Sequence, residues 1–346
     1  MKLLKLVCFL LFFVSCHSDE EILSNPDGEA IMYTMNMSPV KTERFNITFN
    51  YNGKVYTDKG LLIYPKGYND KKKNKLVIYC HSGGGFVNDV SSEAELQAFV
   101  RYFVSLGYVV LDVNGIPGAV AVEKKIDGGR TVGNPLTLQE YIAGYEYAAK
   151  YIDIESTYIF SNSNGGAIAS NIVNLTNIDI KAQSGICPLI SLKNNGWFIY
   201  SGKIGNGEFT SLQNRSNIIR LYGMTDALTQ YELMNAVYEE DKVGVYDPFE
   251  YVKTYKNKYR APYKIFQTKD DDLIYHSIAE QFTSLANQYG GNVILRTINS
   301  GGHSSEPQPG VVGEYFYKDV KYNLTPTVYE VAKWFEENDG YVAKLN

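Results

Sequence analysis

Histidine and cysteine are scarce in this chain, four of each among 346 residues, and that scarcity removes several kinds of chemistry at once. The histidines, His17, His81, His276 and His303, are too dispersed to form any recognised metal-ligand spacing, so metal catalysis finds no support and no cofactor is expected. Of the cysteines, Cys8 and Cys16 lie at the N-terminus. Cys80 and Cys187 each end an apolar run and read as buried free thiols, although an extracytoplasmic location would permit a bridge between them. A basic block is also missing, which argues against nucleic acid as a partner. A glycine-rich loop is present, but G-x-G-x-x-G spacing and a following Lys-Ser/Thr are not, which argues against phosphate binding. No internal repeat is found.

The N-terminus carries Lys2 and Lys5 and then an apolar run over 6–14, too short to span a bilayer, which reads as a signal segment over 1–15. The run ends Phe13-Val14-Ser15-Cys16 and resembles the lipobox of bacterial lipoproteins, which implies cleavage before Cys16 and a lipid anchor on it. The acidic opening Asp19-Glu20-Glu21 is similar to surface-export tags of some Gram-negative lipoproteins. The expected location is therefore the outer membrane of a Gram-negative-type cell, on its periplasmic or surface face. Loss of residues 1–15 takes the formal charge from −5 to −7. Residues 16–40 suit a polar tether, and 41–346 form one large domain interrupted by an insertion over 188–246.

Within that domain, 44–51 and 54–64 flank Asn52-Gly53, a two-residue hairpin signal. Strands and helices then alternate. Strands are expected at 76–80, 108–113, 157–160, 180–187, 263–268 and 293–298. Capping boxes at Ser92-Glu95 and Thr137-Glu140 open helices, the first presenting Leu96, Phe99, Val100, Phe103 and Val104 on one face and stopping at Gly107. Further helices follow Ser163, surround 278–289, and begin at Thr325-Pro326. This alternation predicts a mainly parallel α/β sheet with helices on both faces. The insertion, with Trp197, Phe198 and Tyr200 and a strand-like 218–222, breaks the rhythm and reads as a lid or pocket wall.

The chemistry centres on Tyr158-Ile-Phe-Ser161-Asn-Ser163-Asn-Gly165-Gly166, a strand, an abrupt small-residue turn and a helix start. That pattern resembles a nucleophile elbow with Ser161 in place of the first glycine of G-x-S-x-G. A serine nucleophile needs a base, a group that orients the base, and donors for the oxyanion. His303, in Ser300-Gly301-Gly302-His303 after a late strand, is the candidate base, whereas His276 reads as structural. His81-Ser82-Gly83-Gly84-Gly85 follows an early strand and is similar to the HGGG loop of esterases and lipases. That resemblance implies backbone donors at Gly83 or Gly84, together with the amide of Asn164.

These features occur in the order found in the α/β-hydrolase superfamily, which the chain resembles over roughly 44–340. The segments 247–262 and 262–273 look like the prolyl oligopeptidase and bacterial esterase branch. There the acid stands three residues after a glycine and three before an aliphatic residue. The resemblance places Gln267 at the glycine, Asp270 at the acid and Leu273 at the aliphatic position. Asp271 is left open, and Gly223-Met224-Thr225-Asp226 offers a rival with the literal G-x-x-D spacing. The implied enzyme is a serine hydrolase, foremost a carboxylic ester hydrolase that deacylates a glycan or small molecule with Ser163, Asp270 and His303. An exopeptidase of the prolyl oligopeptidase type is second, although such enzymes usually carry a propeller for which this chain has no spare length. A surface glycan-binding protein is third. The 29 tyrosines could stack on sugars, but their even spread reads as composition.

Overall fold

A computed structural model describes residues 40–123, 131, 133–191 and 244–341 of the chain. Residues 1–39 of the segments read as signal and tether, and 192–243 of the insertion with Asp226 in it, lie outside the described residues.

The hairpin forms where Asn52-Gly53 placed it. β1 (Lys41–Tyr51) pairs antiparallel with β2 (Lys54–Tyr64), and both turn residues have positive φ, 49° and 74°, as a two-residue turn matched to strand twist requires. The next elements are β3 (Asn74–Cys80), α1 (Ala98–Ser105), β4 (Val109–Val113), α2 (Gly118–Glu123), α3 (Pro135–Tyr151), β5 (Ile154–Asn162), α4 (Gly165–Leu175) and β6 (Ile180–Ile186). After residue 243 come α5 (Pro248–Tyr255), β7 (Tyr263–Thr268), α6 (His276–Gln288), β8 (Val293–Ile298), the hairpin β9 (Gly313–Tyr317) and β10 (Val320–Leu324), and α7 (Pro326–Glu337). Eight strands make one sheet in the order β1-β2-β4-β3-β5-β6-β7-β8. β2 meets β4 antiparallel, and every pairing from β4 to β8 is parallel.

The sheet is covered on both faces, which is why its central strands are apolar without alternation. On one side Leu138 and Tyr141 of α3, Ile168 and Ile172 of α4, Val252 of α5 and Phe282 of α6 pack against Ile78, Leu111 and Ile159. On the other, Phe99 and Phe103 of α1 and Val331 and Phe335 of α7 pack against Val77, Val110 and Phe160. Phe103 meets Phe160 with ring centroids 5.6 Å apart and Phe335 at 5.4 Å. Each such buried aromatic contributes about 1.5–3 kcal/mol through burial alone. Among the described residues no helix is long and apolar enough to cross a membrane.

Several boundaries differ from the sequence expectation. Glu95 N–H donates to Ser92 Oγ and Ser92 Oγ to the Glu95 carboxylate, but these contacts sit at a separate 3₁₀ turn at Ala94–Leu96 rather than at the start of α1. Extended Gln97 then restarts the chain as α1, which leaves Leu96 74% exposed. α3 begins earlier than Thr137 because Asn134 is its cap, its side chain accepting from Thr137 N–H at 3.0 Å, with Pro135 in the first turn. Glu140 instead accepts from the Gly115 amide. The α2 helix and the β9–β10 hairpin are additional to the elements expected from the sequence, each being only five or six residues per element.

Candidate active site

The sheet delivers the site residues from the C-terminal ends of β3, β5, β6, β7 and β8. At the end of β5 the backbone reverses through Ser163, whose φ of 51° is positive for a residue with a side chain. A left-handed conformation here costs on the order of 1–3 kcal/mol and persists only where neighbours hold it. They do: Ser163 N–H donates to Ile186 O at 3.1 Å, and Ser163 O accepts from Leu189 N–H at 2.8 Å and Gly166 N–H at 3.0 Å. The two glycines that follow are needed for close approach. A Cβ on Gly165 would collide with the carbonyl of Cys80, and one on Gly166 would collide with Pro188 and Leu189.

Ser161 occupies the position of the missing first glycine and is fully buried. Its partner in register on β6 is Gly185, where an added Cβ would sit 2.8 Å from Ser161 Oγ and 2.8 Å from Tyr263 Oη. The space that a glycine would leave on β5 is thus left on β6 instead.

Ser163 and His303 come together. His303 Nε2 lies 2.8 Å from Ser163 Oγ, so the hydroxyl donates to the imidazole. On the opposite edge of the ring, Nδ1–H donates to Asp271 Oδ2 at 2.9 Å. The acid of this chain of hydrogen bonds is therefore Asp271, and the expectation of Asp270 is corrected. Asp270 turns outward and accepts from the amides of Gly301 (3.2 Å) and Gly302 (2.9 Å). Those two bonds hold its carboxyl below the usual range, and it serves to fasten the histidine loop. Thr268 Oγ donates to Gly302 O and Lys269 N–H to Ile298 O, fastening the same loop further.

Asp271 is buried and richly partnered. Oδ1 accepts from the amides of Leu273 (2.9 Å) and Ile274 (2.8 Å), and Oδ2 also accepts from Gln267 Nε2 at 2.8 Å. Burial by itself would raise its carboxyl, but the hydrogen bond and charge of His303 and the two amides outweigh it, and the group is held below the usual value. Gln267, placed by the resemblance at a glycine position, also donates to Ile274 O and so orients the acid. With a side chain there the acid falls four residues later rather than three. In a run of three aspartates, the distinguishing signal was that Asp271 precedes Leu273-Ile274, whose amides a buried carboxylate can gather.

The loop after β3 is anchored by His81, fully buried, with ring nitrogens 2.9 Å from Ser82 O and 3.0 Å from Val113 O. Gly83 is half-buried, Gly84 is exposed, and Asn164 stands half-buried at the cap of α4. Cys80 and Cys187 are both buried free thiols. Cys187 directly follows β6 with a φ of 45° and its Sγ donates to Ser304 O at 3.6 Å. Sequence reasoning gave it no place near the site. His276 begins α6, with Nε2 2.8 Å from Thr297 Oγ, away from the Ser163–His303 pair.

The arrangement has the α/β-hydrolase fold, and solved structures bear this out. An acylaminoacyl peptidase of Pyrococcus horikoshii superimposes with a TM-score of 0.58 at 13% identity, over 90% of this chain and 43% of the peptidase. A Rhizomucor miehei esterase gives 0.58 at 14% identity, over 88% of this chain and 86% of the esterase. A puromycin-hydrolyzing peptidase of Mycobacterium tuberculosis gives 0.56 at 16% identity, over 86% and 40%. The chain thus spans less than half the length of the two peptidases. Comparison with protein-family models and with curated proteins finds no match.

Proposed function

We propose that this protein is a serine hydrolase cleaving carboxylic esters through Ser163, His303 and Asp271. The observation that carries the reading is the continuous hydrogen-bond chain, 2.8 Å from Oγ to Nε2 and 2.9 Å from Nδ1 to the carboxylate, beginning at a serine of positive φ. Ser163 Oγ attacks the ester carbonyl while its proton passes to His303 Nε2, and Asp271 stabilises the imidazolium that forms. The same proton goes to the leaving alkoxide, which departs as the alcohol. Water, deprotonated by His303, then releases the acid from the acyl-enzyme and restores Ser163.

For the oxyanion, the peptide preceding Gly83 supports one donor over the other. Ser82 O accepts from Gly85 N–H at 3.0 Å and faces the buried His81 ring. In a trans peptide the N–H opposes the C=O, so the Gly83 amide points away from the buried imidazole and is free of that internal contact. Gly83 and Asn164 are thus the assigned donors, with Gly84 left to shape the turn.

Esters are preferred to peptides because a neighbour of matching length is an esterase, spanned over 86% of its length. The substrate is taken to be an acylated glycan or small molecule. Turnover of short p-nitrophenyl acyl esters, set against aminoacyl p-nitroanilides, tests this. Ester turnover that is lost in Ser163→Ala supports the assignment, and anilide turnover exceeding it moves the protein to the peptidases.

A further inference from the structure

Cys187 contributes a third metal-binding atom beside the histidine and acid. Its Sγ, a carboxylate oxygen of Asp271 and a ring nitrogen of His303 all lie within 4.8 Å of one another. We propose that these three side chains form an inhibitory site for a thiophilic divalent cation, zinc being the reference ion.

The donor set is one that zinc takes: a thiolate at about 2.3 Å, an imidazole nitrogen at about 2.0–2.1 Å and a carboxylate oxygen at about 2.0–2.2 Å, with a fourth position for water. Those bond lengths place ligand atoms roughly 3.3–3.6 Å apart around a tetrahedral ion. The present 2.9 Å between Nδ1 and Oδ2 must therefore open by roughly half an ångström to admit it. The two elements bearing Asp271 and Cys187 are fixed, by Gln267 and the amides of Leu273 and Ile274 on one side and by the Cys187 N–H bond to Phe266 O on the other. The adjustable partner is the imidazole of His303, which is 19% exposed and can turn about its own side-chain torsions while its loop stays fastened. Entry is from that side, since Cys187 and Asp271 are buried.

Burial, then the charge of Asp271, pushes the Cys187 thiol up to about 12, so at neutral pH the thiol carries its proton and interacts with Ser304 O. Capture of the cation expels that proton to solvent and forms the metal–sulfur bond. The imidazole binds through Nδ1, whose proton is replaced while Nε2 takes one up, so the ring stays neutral. An imidazole protonated at Nε2 cannot accept the proton of Ser163, and the nucleophile is not activated. The sequence hides this site because its ligands come from the segments that follow three different strands, β6, β7 and β8.

The binding half of the proposal stands without the proposed hydrolysis; the inhibition half rests on it. Binding is read first, with cobalt(II) and the full chain carrying Ser163→Ala. A sulfur-to-cobalt charge-transfer band in the near ultraviolet is expected, lost when Cys187→Ala or Cys187→Ser is added, and absence of the band overturns the site. Inhibition is read as ester turnover against zinc chloride, reversed by EDTA. The Cys187→Ser and Cys187→Ala enzymes are expected to need on the order of 10- to 100-fold more zinc for the same loss. Equal zinc sensitivity in both variants, each shown folded by circular dichroism, overturns the inhibitory role.

Discussion

Asp271 and His303 are joined by a 2.9 Å hydrogen bond from imidazole Nδ1 to carboxylate Oδ2, while the aspartate one residue earlier faces the opposite way. The two adjacent carboxylates divide the work. Asp271, buried, orients the ring; Asp270, at the surface, holds the glycine pair from which His303 projects.

Exchange of the two acids separates these roles. Asp271→Asn is expected to lower kcat for ester hydrolysis about 10³- to 10⁴-fold, because the amide favours the wrong imidazole tautomer. Asp270→Asn, which loses only loop fastening at the surface, is expected to stay within about tenfold of the parent. Steady-state kinetics of the two variants checks this, and a collapse confined to Asp270→Asn refutes the division.

The Ser161–Gly185 pair is expected to behave as a compensated exchange. Gly185→Ala places a methyl 2.8 Å from Ser161 Oγ and Tyr263 Oη and is expected to cost about 1–3 kcal/mol of stability. Adding Ser161→Gly should restore part of it, since the tyrosine contact remains. Thermal melting of the double-mutant cycle measures the coupling, and strict additivity would show that the two positions do not share space.

Asp112 gives a prediction about pH. Both its oxygens are buried, and burial, then the charge of Glu93, pushes its carboxyl well above the usual range. The folded state therefore keeps a proton that the unfolded chain releases above about pH 3.9. Its contribution to stability must fall as pH rises from there toward the folded value. Asp112→Asn removes that titration, so the variant should gain stability relative to the parent as pH rises toward 8, with the difference shrinking toward pH 4. A gain independent of pH contradicts this.

Export and anchoring rest on the residue pattern around Cys16. Cys16→Ala is expected to move the protein from the membrane fraction to the soluble one, and unchanged fractionation would remove the lipid anchor from the account.

The order of the elements was legible because long, doubly covered strands such as β5 and β7 carry unbroken apolar runs, and because Asn52-Gly53 and the glycines after Ser163 have steric reasons to be where they are. Ser163 and His303 were legible for the same reason, each following a strand on a short loop of small residues. The acid was not, because a one-residue choice within Asp270-Asp271-Asp272 depends on which carboxylate the turn buries. That is decided by Gln267 and by the amides of Leu273 and Ile274, contacts with no sequence periodicity. The place of Gly185 and Cys187 was hidden for a related reason: their partners lie on neighbouring strands or distant loops, and only the register of β5 on β6 brings Ser161 opposite Gly185.

The central claim, that Ser163 is an activated nucleophile, is tested most directly by reacting the folded protein with a fluorophosphonate and mapping the adduct by mass spectrometry. The account predicts one stoichiometric adduct, on Ser163, with matching loss of ester turnover. An adduct on another residue, or turnover that survives full modification of Ser163, would contradict it.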